Sequence, residues 1–175
     1  HLQMTGSFKE RGARNKLLTL SEAQRRAGVV AASAGNHALG LAYHGQLLRT
    51  PVTVVMPTTA PLVKVSNTRS FDAEVIQHGD SFDDAYHFGK QLAIDRHLSF
   101  IPGFDDPEII AGQGTIGLEL LEQLPDRDAG VSPGGGGWRL AGVGTAMKSL
   151  KPCVQVVGVE PAAAPTLKVS LDRGD

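Results

Sequence analysis

A lysine stands at position 9, where a glycine-containing turn leads into a segment of helical period, in the stretch Thr5-Gly6-Ser7-Phe8-Lys9-Glu10-Arg11-Gly12-Ala13. A lysine amine attacks carbonyl groups only when its pKa is lowered, and a helix N-terminus with partial burial beside Phe8 would lower it. Helical lysines are mostly exposed and solvated, so an ordinary surface residue is the alternative. The stretch therefore permits Schiff-base chemistry at Lys9 without proving it.

Small and polar residues join a predicted strand to a predicted helix in Ala32-Ser33-Ala34-Gly35-Asn36-His37-Ala38. Free backbone amides at the helix start, together with the Ser33 hydroxyl, would be donors for a substrate carboxylate. The alternative is an ordinary strand-to-helix turn in which Asn36 caps the helix and His37 is merely polar. Taken alone, the segment favours the ordinary turn.

Four consecutive glycines, Gly134 to Gly137, lie between a predicted strand and a predicted helix. Such a run lets backbone N–H groups approach a phosphate closely at a helix N-terminus. A flexible linker would have polar, disordered neighbours, whereas the neighbours here are apolar, so phosphate binding is favoured over a linker. No Gly-Lys-Ser/Thr follows and the spacing is not G-x-G-x-x-G, which disfavours a P-loop ATPase.

Composition excludes several other classes of function. The six histidines and the single cysteine, Cys153, offer no paired metal-ligand spacing and no internal disulfide, so no metal is predicted. A net charge of -1 with interspersed signs predicts no nucleic-acid partner, and no apolar run is long enough to span a membrane. The cytoplasm is the default location, and the absence of an initiator Met indicates a fragment.

The elements that must position these residues alternate in type. Short runs rich in Val, Ile and Ala alternate with longer segments of helical period, which predicts an α/β fold with a mostly parallel sheet. The predicted strands are 28–32, 52–56, 74–78, 99–101, 130–132 and 154–159. The predicted helices are 8–18, 37–48, 62–71, 81–97, 107–124 and 139–150.

Two helix starts carry clear capping signals, Asp106 before Pro107 and Ser81 before Asp83 and Asp84. Helix 107–124 also contains three glycines, each costing about 1 kcal/mol relative to Ala, which predicts close backbone packing at those positions. We expect residues 28–106 to form a small α/β lobe. Residues 1–27 and 107–175 would then be parts of a larger, cofactor-binding lobe.

The chain resembles the threonine/serine dehydratases, which are fold-type-II pyridoxal-phosphate enzymes. Three motifs carry the resemblance, in this order along the chain: Gly6-Ser7-Phe8-Lys9-x-Arg11-Gly12-Ala13, Ser33-Ala34-Gly35-Asn36-His37 and Gly134 to Gly137. The connecting segments Met56 to Lys64 and Gly158 to Pro161 are similar too, so the resemblance covers nearly the whole chain. It implies a tryptophan synthase β-like fold with two lobes, incomplete here, and pyridoxal 5'-phosphate as the cofactor.

The resemblance also implies roles for single residues. Lys9 would hold the cofactor through an imine, Phe8 would pack on its pyridine ring, and Asn36 would hydrogen-bond its ring oxygen. Gly134, Gly135, Gly136 and Gly137, with the backbone of Trp138, would hold its phosphate. The residues expected to face the substrate are Ser33, Ala34, Gly35, Asn36 and His37.

The implied reaction is β-elimination from threonine or serine to a 2-oxo acid and ammonia, with the Lys9 amine removing the α-proton. A homo-oligomer is expected for the full-length protein. The serine racemases of this group have a motif that looks like Ser-Ser-Gly-Asn, in which the second serine acts as a proton carrier. Ala34 stands at that position in this chain, which disfavours racemisation. A serine racemase-like enzyme and a catalytically silent fragment remain the alternatives.

Two departures from the family pattern stand out. Glu160 and Ala164 match a segment that opens a cation site in related enzymes, but Thr166 replaces the expected aspartate. Trp138-Arg139 replaces a small aliphatic pair directly after the glycines, and a bulky indole there could disturb the phosphate loop.

Overall fold

The computed structural model describes residues 2–174. Four parallel strands, β1 (Val29–Ala32), β2 (Val52–Met56), β3 (Glu74–Gln77) and β4 (Ser99–Phe100), form one sheet in the order β3-β2-β1-β4. β1 and β2 are buried at every position and are aliphatic except for Thr53 and Met56, as expected for strands covered on both faces. A second sheet pairs β5 (Ala129–Pro133) with β6 (Gln155–Val159), also in parallel.

Eight helices connect and cover the strands within the described residues. Their bounds are α1 Lys9–Thr19, α2 Glu22–Ala27, α3 Asn36–Leu48, α4 Leu62–Arg69, α5 Phe82–Asp95, α6 Pro107–Gln123, α7 Trp138–Leu150 and α8 Thr166–Arg173. The α/β class and the six predicted strands and six predicted helices are confirmed, with bounds shifted by two residues at most. None of the described helices is both long and apolar enough to cross a membrane.

The two clear capping signals are confirmed. The Asp106 carboxylate accepts hydrogen bonds from the amides of Glu108 and Ile109 at 2.9 and 3.1 Å, ahead of Pro107 at the first helical position. Ser81 and Asp84 form a reciprocal capping box at the start of α5. Both helices therefore begin directly after a residue whose side chain satisfies otherwise free amides.

The core is divided by the four-stranded sheet. On one face α1, α3 and α4 bury a cluster that includes Leu17, Leu41 and Met56. On the other face α5 packs Ala85 and Leu92 onto Val30 and Val55 of the strands. The four-stranded sheet lies inside range 28–106, and the division into lobes stays a prediction.

Helix α1 is held between α3 and α6 by contacts of backbone on backbone. A Cβ atom at Gly112 would lie 2.5 Å from the Cα of Gly12, and one at Gly40 would lie 2.8 Å from the Cα of Glu10. Real Cβ atoms do not come that close, so only glycine fits at these crossings. The close packing predicted for the glycines of α6 is confirmed at Gly112, and it fixes the helix that begins with Lys9.

Candidate active site

Lys9 opens α1, and its side chain crosses to the loop between β4 and α6. The ammonium nitrogen Nζ donates a hydrogen bond to the Gly103 carbonyl oxygen at 2.5 Å. The Lys9 amide donates to the Ser7 hydroxyl at 3.2 Å, so the turn before the helix is tied to its first residue. A main-chain acceptor far away in the sequence thus holds the amine in one position.

The environment of Lys9 lowers the pKa of its amine from 10.5 to about 8. Burial is the main cause, because it penalises the charged form, and the positive charge of Arg139 adds to it. The sequence left open whether Lys9 is exposed or partly buried, and it gave no sign of the neighbouring arginine. A lysine with this pKa is partly neutral near physiological pH and can act as a nucleophile or as a base.

The indole of Trp138 lies against that amine. The Lys9 Nζ is 4.1 Å from the centre of the indole, which stacks on Phe104 with 5.3 Å between ring centres. The same ring folds back onto Gly136, leaving no room for a Cβ there. Its Nε1–H is buried without an acceptor in the described part of the chain. The indole therefore lies between the amine of Lys9 and the glycine loop.

The glycine loop is anchored at both ends and open in the middle. The Gly134 amide donates to the Val159 carbonyl at 2.8 Å, and the Gly137 amide donates back to Gly134 at 3.0 Å. Gly135 and Gly137 have φ angles of 53° and 95°, which favour glycine. Within residues 2–174 the amides of Gly135 and Gly136 have no acceptor, and they stand at the N-terminus of α7. Such free amides suit an anion.

The turn before α3 is held by the hydroxyl of Ser33. Ser33 Oγ accepts hydrogen bonds from the amides of Gly35 and Ala38 at 3.2 and 3.3 Å. Asn36 is already the first helical residue and is exposed, and its Oδ1 accepts from Lys64 at 3.3 Å. The expectation that Asn36 caps the helix is therefore wrong, because Gly35 is the residue at the cap position. The amides that begin α3 still point out of the turn.

The His37 side chain faces the core and not the solvent. It is 4% exposed, and its Nε2 lies 3.3 Å from the Ile101 carbonyl oxygen. Its ring packs against Gly103, where a Cβ atom would lie 3.3 Å from the ring. Burial, and then the charge of Lys9, lower its pKa to about 4, so the ring is neutral at physiological pH. A contact with substrate could come only from its amide. The sequence carried no signal for this contact with Gly103.

A cavity of about 640 Å³ lies beside the start of α1. It brings together Phe8 and Asn36, two residues that the sequence assigned to the same ligand, whereas the glycines 134–137 and Trp138 do not line it. Its other polar and small lining residues include Gly6, Ser7, Arg11 and Arg139. The predicted residues thus fall into two neighbouring groups, Phe8 and Asn36 at the cavity and the glycines 134–137 with Trp138 at the loop. Lys9 and Arg139 link the two groups.

The carboxylate of Glu160 is used structurally. It accepts hydrogen bonds from the amides of Leu167 and Lys168, both at 3.0 Å, and from the Thr166 hydroxyl at 3.3 Å. These bonds cap the start of α8 and lower the pKa of the carboxyl group. Across residues 2–174 no three His, Cys, Asp or Glu side chains come together as metal ligands do.

Comparison with known proteins gives a consistent family signal. The family described as "Pyridoxal-phosphate dependent enzyme" matches residues 1–175. The L-threonine ammonia-lyase of Thermotoga maritima is 50% identical over 99% of this chain and 43% of its own length. The catabolic L-threonine dehydratase of Escherichia coli is 45% identical over 100% of this chain and 53% of its own length.

Solved structures agree with the sequence relatives. A processed threonine deaminase isoform from Solanum lycopersicum superimposes with a TM-score of 0.96 at 43% identity, covering 99% of this chain and 48% of that one. Maize serine racemase superimposes with a TM-score of 0.95 at 33% identity, covering 99% of this chain and 53% of that one. The chain spans about half the length of the curated relatives it matches.

Proposed function

Because this chain belongs to the family of pyridoxal-phosphate dependent enzymes, we propose that it is the part of an L-threonine or L-serine ammonia-lyase that carries the cofactor lysine. The whole protein would convert the hydroxy amino acid into a 2-oxo acid, 2-oxobutyrate in the case of threonine, and ammonia. The observation that carries this proposal is the Lys9 amine, partly buried, lowered in pKa and held by the Gly103 carbonyl.

The described residues fit the cofactor in two respects. A lysine with a pKa of about 8 can bond to the cofactor aldehyde, and the free amides of Gly135 and Gly136 can bind a phosphate. Phe8 and Asn36, which line the neighbouring cavity, would contact the pyridine ring and its oxygen. The Trp138 indole must move aside, or stack on the ring, for a single molecule to reach both Lys9 and the loop.

When bound, pyridoxal phosphate would supply the ring system that takes up the electron pair left when the bond between the α-carbon and its hydrogen is broken. The protein supplies the proton transfer. The neutral Lys9 amine takes the α-proton, while the Gly103 carbonyl sets where Nζ rests. The proton taken from the α-carbon is balanced by the one delivered to the β-hydroxyl, which leaves as water, and hydrolysis of the released enamine would give the 2-oxo acid and ammonia.

Substrate orientation would come from the turn before α3. The amides of Asn36 and His37 begin the helix, and they can donate to a carboxylate where the partial positive charge of the helix end favours an anion. Ser33 holds the turn through its two amide contacts, which keeps those donors aligned. Gly35 and Ala34 would complete the surface that the substrate meets.

The racemase alternative needs a second proton carrier. At position 34 this chain has a methyl group that packs against the core, so no hydroxyl is available there. Structural likeness to serine racemases reflects the shared fold, and no observation on this chain favours racemisation over elimination. For the whole protein we expect a homo-oligomer that acts in the cytoplasm on a free amino acid.

The test is an absorbance titration of the purified chain with pyridoxal phosphate. We expect an imine band at the edge of the visible range, its loss in Lys9→Ala, and its retention in Lys168→Ala, which removes an exposed lysine. L-threonine should then yield 2-oxobutyrate. A band that persists in Lys9→Ala would contradict the assignment of Lys9, and an intact band without 2-oxobutyrate would contradict the reaction.

A further inference from the structure

Arg139 is a cation without a carboxylate partner in the described residues. Its guanidinium lies over the Phe8 ring, with Cζ 4.5 Å from the ring centre, and Nη2 donates to the Pro133 carbonyl at 3.3 Å. Its Nε is buried and has no acceptor within residues 2–174. No acidic side chain lies within salt-bridge distance of it there.

The other arginine of the cavity is neutralised. Arg11 donates two hydrogen bonds to the Glu119 carboxylate, at 2.5 and 2.7 Å, and a third to the Thr115 hydroxyl. Since Arg11 and Glu119 cancel, Arg139 leaves the cavity with one spare positive charge. The nearby ammonium of Lys9 is repelled by that charge and does not balance it.

We propose that Arg139 binds an oxyanion group, a phosphate or a carboxylate, in the cavity that Phe8 and Asn36 line. This inference rests on the proposed function, because the cofactor carries a phosphate and the amino acid carries a carboxylate. A guanidinium offers a planar pair of donors that matches either group, and such charge-assisted bonds are stronger than neutral ones. Arg139 is then a ligand-binding residue at a position where the family pattern has an aliphatic side chain.

Asn36 supplies a second donor at the same cavity. Its Oδ1 accepts from Lys64, which leaves the NH₂ group of the amide free to donate towards the cavity. The Arg139 guanidinium is kept on the cavity wall by its contacts with Phe8 and Pro133. An anion placed there would also offset the repulsion between Arg139 and Lys9.

The experiment compares ligands with and without each anionic group. Dissociation constants are measured for pyridoxal phosphate against pyridoxal, and for L-threonine against L-threoninamide on the cofactor-loaded chain. The variants are Arg139→Gln, Arg139→Lys, and Arg25→Gln as a matched charge removal in α2, away from the cavity. Calorimetry with inorganic phosphate and with acetate is done without cofactor.

We expect Arg139→Gln to weaken one anionic ligand by about tenfold or more, with partial recovery in Arg139→Lys and no change in Arg25→Gln. If Arg139→Gln loses affinity for pyridoxal phosphate but not for pyridoxal, the phosphate is the group that Arg139 binds. If it loses affinity for threonine but not for threoninamide, that group is the carboxylate. An indirect effect through Lys9 would weaken pyridoxal as well, and that pattern overturns the proposal.

The proposed function and this inference can fail separately. If the unaltered chain binds no pyridoxal phosphate, the function fails, and calorimetry still decides on Arg139. Phosphate or acetate binding that is lost in Arg139→Gln supports the proposal. Equal binding in both proteins, including no binding in either, overturns it.

Discussion

The side-chain nitrogen of Lys9 lies 4.1 Å from the centre of the Trp138 indole, and this contact joins the start of α1 to the start of α7. The indole covers the amine on the side of the glycine loop, with Phe104 stacked behind it. A residue that sequence comparison would treat as a disturbance of the loop is therefore a direct neighbour of the proposed nucleophile.

Replacement of Trp138 by Leu should speed the reaction of Lys9 with pyridoxal. A cation–π contact of about 0.5 to 2 kcal/mol must be given up before an aldehyde reaches the amine, so the rate should rise about twofold to thirtyfold. Stopped-flow absorbance of imine formation measures it. Phe104→Leu, which removes only the stacking partner, should give a smaller increase; an unchanged or slower rate in Trp138→Leu contradicts the role of the indole as a cover.

The reactivity of Lys9 should depend on pH with a midpoint of about 8. The pKa of the amine is lowered, so the reactive neutral form accumulates as pH rises through 8 and not through 10.5. Brief labelling with trinitrobenzenesulfonate, quantified on the Lys9 peptide by mass spectrometry, measures this. Arg139→Gln should move the midpoint upward, because one cause of the lowering is removed; a midpoint near 10.5 in the unaltered chain would rule out the environment described here.

His37 should make the chain less stable in acid. Its pKa is about 4 in the folded chain and 6.5 when unfolded, so between these values the unfolded state binds more protons, and stability falls as pH drops from 6.5 towards 4. The full shift corresponds to about 3 kcal/mol. Urea unfolding at pH 7 and pH 4.5 measures the loss. His37→Gln, which can keep the bond to Ile101, should show a smaller loss between the two pH values; an identical loss would assign the effect to other groups.

Gly112→Ala should destabilise the chain by about 1 to 3 kcal/mol, because the added methyl group meets the backbone of α1. Gly144→Ala is the matched control on α7, since its new methyl group would lie 3.5 Å from Val156, an ordinary contact. Removing a glycine from a helix interior is favourable by about 1 kcal/mol, so this control should be neutral or stabilising. Thermal unfolding separates the two, and equal midpoints would mean that the α1–α6 crossing is looser than described.

The elements were predictable from the sequence because their signals are local. The buried Val-rich runs of β1 and β2, the proline after Asp106 and the Ser81 cap each need only a few neighbouring residues. The helices α2 and α8 were missed, although Ser21 and Gln24 form a capping box that could have revealed α2. The start of α8 is capped by Glu160, which precedes the capped amides of Leu167 and Lys168 by several residues. No pattern of neighbouring residues predicts such a cap.

The candidate site was predictable only in part. The motifs indicated which segments matter, but the directions of side chains depend on contacts between distant segments. His37 turns inward against Gly103, and Gly35, not Asn36, is the cap residue of α3, while Ser33 accepts a hydrogen bond from the Ala38 amide in its first turn. The unpaired charge of Arg139 and the position of the Trp138 indole also depend on how α7 lies against α1, which sequence spacing does not encode.

The acceptor that holds Lys9 is a main-chain oxygen. Every amino acid carries such an oxygen, so the resting position of the amine depends on the path of the loop between β4 and α6. Glycine keeps that path undisturbed, because a Cβ at position 103 would lie 3.3 Å from the His37 ring, which would have to give way. The cavity, in contrast, is lined by side chains, so a substitution there changes the group that contacts a ligand. Evolution, or an engineer, can therefore change what the cavity recognises while the lysine itself stays where it is.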